Sequence, residues 1–288
     1  MIGFNGGLIG KTNLTSQGPV GVWTAPEQLE AVRNNGWPIV YDPDALAYFT
    51  RVEGASGDNQ RLEFAVKAVI NTFVLGCKSD GIWTAIKASC ILAGARTLNG
   101  ALQPLVGTAP TNVSGLFVSG DYNRKTGLIG NGTTKYLDSN RNNNTDPQND
   151  NHNAVYVSTA ATATSAYMGA DDPTNSTGTN NFGRSTAIFL RNRAATNAEI
   201  GTVTATGLIG TSRAASASFT TRVSGSSATQ TITSQTPFNG NLKVFATGTG
   251  TLHANARLAF YSIGESLTLA TLDTRVTALI NALATAIP

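Results

Sequence analysis

The chain has 288 residues, enough for one large domain or two modest ones that each bury a core. With 41% hydrophobic and only 13% charged residues it is not a disordered polyelectrolyte, and its solubility rests on Thr, Ser and Asn rather than on ion pairs. The formal charge of +3 comes from basic residues scattered singly, without the stripe that tracks a phosphate backbone, so nucleic acid is not an expected partner.

The first segment, residues 1–38, lacks a basic start followed by an apolar core, and no run in the chain reaches the roughly 18 apolar residues of a membrane span. Neither a cleaved leader nor membrane insertion is expected. Gly3, Gly6, Gly7 and Gly10 alternate with Phe4, Leu8 and Ile9. Ordering such a glycine-rich strand is entropically costly, so its large side chains gain fixed positions by docking, either on another subunit or within the same domain. Thr24, Pro26 and Glu27 form a capping box with an early proline, which predicts a helix to Arg33, stopped at Asn34, Asn35 and Gly36. Trp23 and Trp37 bracket it as packing anchors, within the chain or across an interface. Phe4, Leu8, Ile9, Trp23 and Trp37 are the candidate assembly interface.

Residues 39–111 read as a helical connector. Asp42 and Pro43 start a short helix through Phe49, followed by a polar break over residues 54–59. Leu62, Ala65, Val66, Val69, Ile70, Phe73 and Val74 recur at helical spacing, and Gly76 supplies a stop. Ser79 or Asp80 then caps a predicted third helix carrying Ile82, Trp83, Ile86 and Cys90. Cys77 and Cys90 form no C-x-x-C pair and read as buried free thiols, with a disulfide left open.

From residue 112 onward the pattern changes to short β segments joined by Gly, Asn, Ser and Thr turns. Predicted strands cover residues 116–118, 136–138, 154–158, 166–169, 186–191, 199–204, 206–212, 217–223, 230–233, 241–246 and 257–264. Residues 140–153 are too rich in Asn and Asp for a strand and read as an exposed loop. Gly-Leu-Ile-Gly recurs at Gly7, Gly127 and Gly207 at unequal intervals, which marks a turn-to-strand device and not a structural repeat. The chain closes with a helix over residues 269–286, capped by Thr268, with Leu272, Val276, Leu279, Ile280, Leu283 and Ile287 on one face. That face suits packing across a sandwich. The expected fold is therefore mainly β with a helical N-terminal part: a β-sandwich or jelly roll over residues 112–288, followed by a C-terminal helix.

Several motifs carry a family resemblance. The run Gly3 to Gly10, with Gly21-Val22-Trp23 and Gly36-Trp37-Pro38, resembles the shared N-terminus of structural proteins of tailed phages of marine and freshwater bacteria, cyanophages among them. Gly76-Cys77-Lys78-Ser79-Asp80-Gly81-Ile82-Trp83, the stretch Phe117 to Arg124, and Leu258-Ala259-Phe260-Tyr261-Ser262-Ile263-Gly264 are similar to phage proteins with a concanavalin A-like, laminin-G-like jelly roll. The resemblance implies a virion component such as a tail fibre, a baseplate-associated protein or a capsid or surface decoration. It also implies attachment to other virion proteins through residues 1–38 and assembly into a homo-oligomer. The jelly roll is then displayed for assembly or for recognition of a host-surface glycan.

Glycoside hydrolysis needs two carboxylates facing each other across the sugar. Here Asp121, Asp138 and Glu199 are isolated, and Asp171 and Asp172 sit in a turn, while His152 and His253 have no nucleophile elbow beside them. The expectation is that the chain is not an enzyme and uses no cofactor or metal. The best calcium candidate is the segment 146–150, with Asp146, Asn149, Asp150 and Asn151, although no spaced ligand template is present and an ordinary polar loop reads better. Glycan binding would need an exposed aromatic with amide or carboxylate partners, and Tyr122, Tyr136, Tyr156 and Tyr167 are the available rings.

Overall fold

Helix α1, Pro43–Ser56, begins where the capping residues place it: Asp42 Oδ1 accepts the Asp44 amide at 2.9 Å and Pro43 fills the first turn. Val52, fully buried, continues the stripe of Ala45, Tyr48 and Phe49, so the helix runs past the expected end at Phe49. The computed structural model describes residues 41–57, 60–171 and 178–288. The expected attachment segment 1–38, its helix, and the candidate interface residues Phe4, Leu8, Ile9, Trp23 and Trp37 lie outside the described residues.

Helix α2, Phe64–Ser79, runs through Gly76, the expected stop. A Cβ at position 76 would fall 2.7 Å from Arg275 Nη1, so the guanidinium crosses close over the helix at this glycine. Arg275 reaches over that point to Asp80, donating from Nε at 2.6 Å and Nη2 at 2.8 Å. The predicted third helix does not form. Residues Trp83–Ala85 make a 3-10 turn and strand β1, Ile86–Ile91, follows. Ile86, Ala88, Cys90 and Ile91 are all buried, because this strand is covered on both faces and so reads as an apolar run without clear period.

The short helix α3, Leu98–Ala101, leads to β2, Pro104–Val106, then β3, Thr111–Asn112, β4, Tyr122–Asn123, and β5, Gly127–Ile129. Next come β6, Leu137–Asn142, β7, Asn151–Thr159, β8, Ser165–Ala170, β9, Thr179–Arg184, and β10, Ile188–Ala194. The remainder is β11, Ala198–Ile200, β12, Gly207–Arg213, β13, Phe219–Val223, β14, Ser226–Gln230, β15, Asn241–Val244, β16, Arg257–Gly264, and helix α4, Leu269–Ala286. Gly127 and Gly207, with φ of 100° and 85°, each open a strand, which is the turn-to-strand use expected of Gly-Leu-Ile-Gly at those two places.

The fold is mainly β, a sandwich of antiparallel sheets with a helical N-terminal part and a C-terminal helix. Two antiparallel sheets form it. The first has the order β14-β13-β12-β7-β16-β1-β2, with β5 on β16 and β4 on β5; the second is β11-β10-β9-β8-β15-β6-β3. Strands β1 and β2 belong to the first sheet, so the sandwich takes in residues expected in the connector 39–111.

Val155, Val157 and Ile209 of the first sheet meet Phe182, Leu190 and Val244 of the second in the inter-sheet core. The other face of the first sheet is covered by helices, with Phe73, Leu272, Val276 and Leu283 packed over Ala154, Leu208 and Phe260. The rings of Phe73 and Phe260 meet edge to face, 5.9 Å apart. Each such large side chain contributes about 2 kcal/mol on burial. The second sheet has its outer face free of these helices.

At one end of the sandwich the inter-sheet space turns polar. Arg213, fully buried, donates to the carbonyls of Asn192, Ala215, Ser216, Ser218 and Ile232 and lies 5.1 Å from the Phe219 ring centroid. Arg193, equally buried, donates to the carbonyls of Asn143 and Pro147. The expected exposed loop over residues 140–153 is accordingly shorter. Strand β6 runs into it, β7 starts at Asn151, and Asn143, Asp146, Asn151, His152 and Asn153 are buried. Apart from Asn153 Oδ1, which has no partner among the described residues, their side-chain polar groups are paired inside the protein, which hydrophilicity alone does not reveal.

Candidate functional site

The second sheet places a polar row across the face away from the inter-sheet core, with Gly169 and Asn181 buried in it and Asp138, Lys243 and Arg191 half-buried. Thr111 pairs with Asp138, Asp138 with Lys243, Lys243 with Gly169, Gly169 with Asn181, and Asn181 with Arg191. Directly opposed residues share a face, so one line of side chains crosses β3, β6, β15, β8, β9 and β10. The opposite parity holds Leu137, Leu242, Val244, Phe182 and Leu190, all in the core. Alternation along each strand therefore sends the polar set outward.

Tyr136, half-buried beside this row, supplies its aromatic surface. The Tyr136 and His253 ring centroids are 5.7 Å apart, and Lys243 Nζ stands 5.9 Å from the tyrosine centroid. Lys243 is ion-paired to Asp138, whose Oδ1 also accepts Asn241 Nδ2 at 3.0 Å and the Asn140 amide at 2.8 Å. Those contacts hold Asp138 as a fixed carboxylate. Burial pushes the His253 imidazole below its usual range, so it is the neutral ring that faces Tyr136 at neutral pH.

Gly169 lies beneath the Thr247 turn in the middle of the row. A Cβ there would sit 3.0 Å from Thr247 Cα and 3.3 Å from Asn181 Cβ, so the Thr247 turn packs close against the strand only because position 169 is glycine. Asp171 pins that turn, with Oδ1 accepting the Gly248 amide at 2.8 Å and Oδ2 accepting Asn181 Nδ2 at 3.2 Å. The hydroxyls of Thr247, Thr249 and Thr251 lie within 3.2 Å of one another. The surface thus combines one aromatic ring, carboxylates, amides, hydroxyls and a cation, a set able to hydrogen-bond a polyhydroxylated ligand and stack on its C–H face.

Of the four tyrosines considered from sequence, Tyr136 alone joins this arrangement. Tyr167 is fully buried, with its hydroxyl accepting the Ala161 amide at 3.3 Å. Tyr122 donates to the Ala95 carbonyl at 2.7 Å. Tyr156 lies on the helix-covered sheet beside α4. Asp121 is held by Lys135 and accepts the Val118 amide, while Glu199 is exposed on β11. His152 is buried rather than in an open loop: Nδ1 meets the Glu265 carbonyl and Nε2 lies 2.7 Å from Ser262 Oγ. Desolvation lowers its pKa to about 4.

The segment expected to suit calcium spends its carboxylates internally. Asp146 is clamped by Arg141, and Asp150 Oδ1 accepts the Ser266 amide at 2.7 Å. Among the described residues no cluster of three His, Cys, Asp or Glu side chains is placed to hold a metal ion. Cys77 and Cys90 are free buried thiols, one in the helix layer and the other in the inter-sheet core. Sequence reading missed Lys243, Asn241, Gly169, Asn181 and Arg191 as a set. The alternation of Asn241, Leu242, Lys243 and Val244 marks Lys243 as outward-facing, but nothing in one sequence brings the six strands together.

No family model matches the chain, and no curated protein matches it. Solved structures do. Domain 4 of AbnA, a GH43 extracellular arabinanase from Geobacillus stearothermophilus, in complex with arabinotriose, matches at 12% identity and a TM-score of 0.34, covering 61% of this chain and 82% of that one. A GH54 α-L-arabinofuranosidase soaked with a cyclic sulfate inhibitor matches at 11% and 0.33, covering 54% and 41%. An arabinofuranosidase complexed with arabinofuranosyl-α-1,2-xylobiose matches at 11% and 0.32, covering 69% and 44%. The chain spans about two fifths of the length of the GH54 enzymes it matches. The expectation that this chain is not an enzyme is corrected here: arabinofuranosidases and an arabinanase domain are among the structures it is similar to. At these TM-scores the likeness assigns no activity, substrate or residue to this chain.

Proposed function

We propose that the chain is a virion-surface protein whose sandwich recognises a host-surface glycan through the outer face of its second sheet. The observation that carries the recognition is the helix-free polar row with Tyr136 at its edge, flanked by Lys243, Asp138 and Asn241. The other sheet has helices packed over it, so binding is directed to one side. The place on a phage particle, as a tail-fibre, baseplate-associated or capsid-decorating protein, is supported by the resemblance of residues 3–10 and of the motifs at residues 76–83 and 117–124. Assembly with other virion proteins and with further copies of the chain belongs to the same reading.

The test is an array of bacterial surface polysaccharides, neutral and anionic, probed with the full chain and with Tyr136→Ala. Retention of at least one glycan by the parent, reduced about tenfold by the substitution, supports the reading. Retention of none, or equal retention by both proteins, contradicts it. Immunogold labelling of intact particles tests the virion placement separately, and purified particles free of the protein contradict that part.

A further inference from the structure

A second concavity lies on the opposite side of the molecule, where α4 crosses the β12, β13 and β14 end of the first sheet. It has two lobes. One, of about 710 Å³, is lined by Tyr156, Gly207, Ser224, Thr274, Thr277 and Asn281, with Asp273 at its inner end. The other, of about 570 Å³, is lined by Ser212, Thr220, Ser227, Thr268 and the start of α4. Arg222 separates them, donating from Nε to Asp273 Oδ2 at 2.8 Å. Thr220 and Arg222 lie on β13 with Ser224 in the turn after it, and α4 carries Ala270, Asp273 and Thr277 in that order. The lobes therefore lie in line along the helix on either side of this ion pair, and the larger one is an open trough holding Tyr156, Asp273 and Asn281.

The lining is built for a neutral ligand rich in hydroxyl groups. Asp273 is neutralised by Arg222 and further held by Thr277 Oγ1 at 3.0 Å, and no other lining residue of either lobe is charged. Tyr156 Oη and the Asn281 side-chain amide have no hydrogen-bond partner among the described residues. Both are therefore available to a ligand. A Cβ at Gly207 or Gly225 would meet nothing within 4 Å, so both glycines leave the wall open. We infer that this trough binds a neutral oligosaccharide, with a sugar ring stacked on Tyr156 and its hydroxyls taken by Asn281 and the Asp273 carboxylate. An anionic chain meets no free cation here.

This site does not depend on the Tyr136 face, and it makes one chain bivalent for glycans on opposite sides. Isothermal titration of the full chain with cellohexaose, xylohexaose, mannohexaose and maltohexaose tests it. Tyr156→Ala removes the platform. Asn281→Trp fills the trough from an exposed helix position and guards against a folding defect in the first variant. Saturable binding of at least one hexasaccharide, weakened about tenfold or more by each of these changes and untouched by Tyr136→Ala, is the expected result. Binding of none, or binding insensitive to Asn281→Trp, overturns the inference. Loss in Tyr136→Ala with retention in Asn281→Trp also overturns it while leaving the first site standing.

Discussion

Asp138 on β6 and Lys243 on β15 stand directly opposite each other in register and are joined by an ion pair. Both side chains are partly solvated, so the pair contributes about 1 kcal/mol or less to folding. Its larger role is to fix a carboxylate and an ammonium beside Tyr136. Lys243→Ala is expected to cost about 1 kcal/mol in urea unfolding while reducing glycan retention about tenfold. A large stability loss with unchanged retention would show that the pair serves the fold alone.

Arg213 is a buried cation solvated by five backbone carbonyls, with no carboxylate partner among the described residues. Arg213→Met keeps most of the volume but strands those acceptors, and a loss of about 3 kcal/mol is expected by urea denaturation. Arg213→Lys restores only part of it, because a single ammonium cannot reach all five. Stability of the Met variant within about 0.5 kcal/mol of the parent would contradict this account.

His152 gives the fold a pH dependence with a defined sign. Its folded pKa of about 4 lies below the ordinary 6.5, so between those values the unfolded chain binds more protons than the folded one. Its contribution is complete above about pH 6.5, is lost as the pH falls towards 4, and is of order 3 kcal/mol in all. The difference in unfolding free energy between parent and His152→Gln, followed across that window, is expected to shrink as the pH falls. A difference independent of pH would contradict the assignment.

The thiols should be silent in the native state. Cys77 and Cys90 are fully buried, and burial pushes the Cys77 thiol up to about 12, with Cys90 raised still further. Dithionitrobenzoate is expected to titrate no thiol in the native protein and both after unfolding. Rapid reaction of either one in native buffer would show that its burial is wrong.

The elements easiest to read from sequence were helix α4, which buries one face, and strand β16, which is buried on both faces but bounded as an apolar run of strand length. Helix α4 and strand β16 fall at the expected residues because Leu272, Val276 and Leu283 keep a helical period and Arg257–Gly264 is a bounded apolar run. Strand β1 was misread as helix because both of its faces are covered, which erases the period of two. Strand β9, with the sequence Thr-Asn-Asn-Phe-Gly-Arg, gave no strand signal, since Asn180 is buried by donating to Asn143 Oδ1 rather than by being apolar. The candidate site was legible only in part. Tyr136 and Asp138 were visible as residue types, but the row they join depends on cross-strand register, above all between Asp138 and Lys243, which lie far apart in the chain.

The central claim is that the outer face of the second sheet is the recognition surface. Titrating the ¹⁵N-labelled full chain with an array-positive polysaccharide fragment tests it most directly. Amide shifts concentrated at Tyr136, Asp138, Gly169, Asn181, Lys243 and the turn at Gly248 are the predicted result. Shifts confined to other surfaces, with those amides unmoved at saturation, would contradict it.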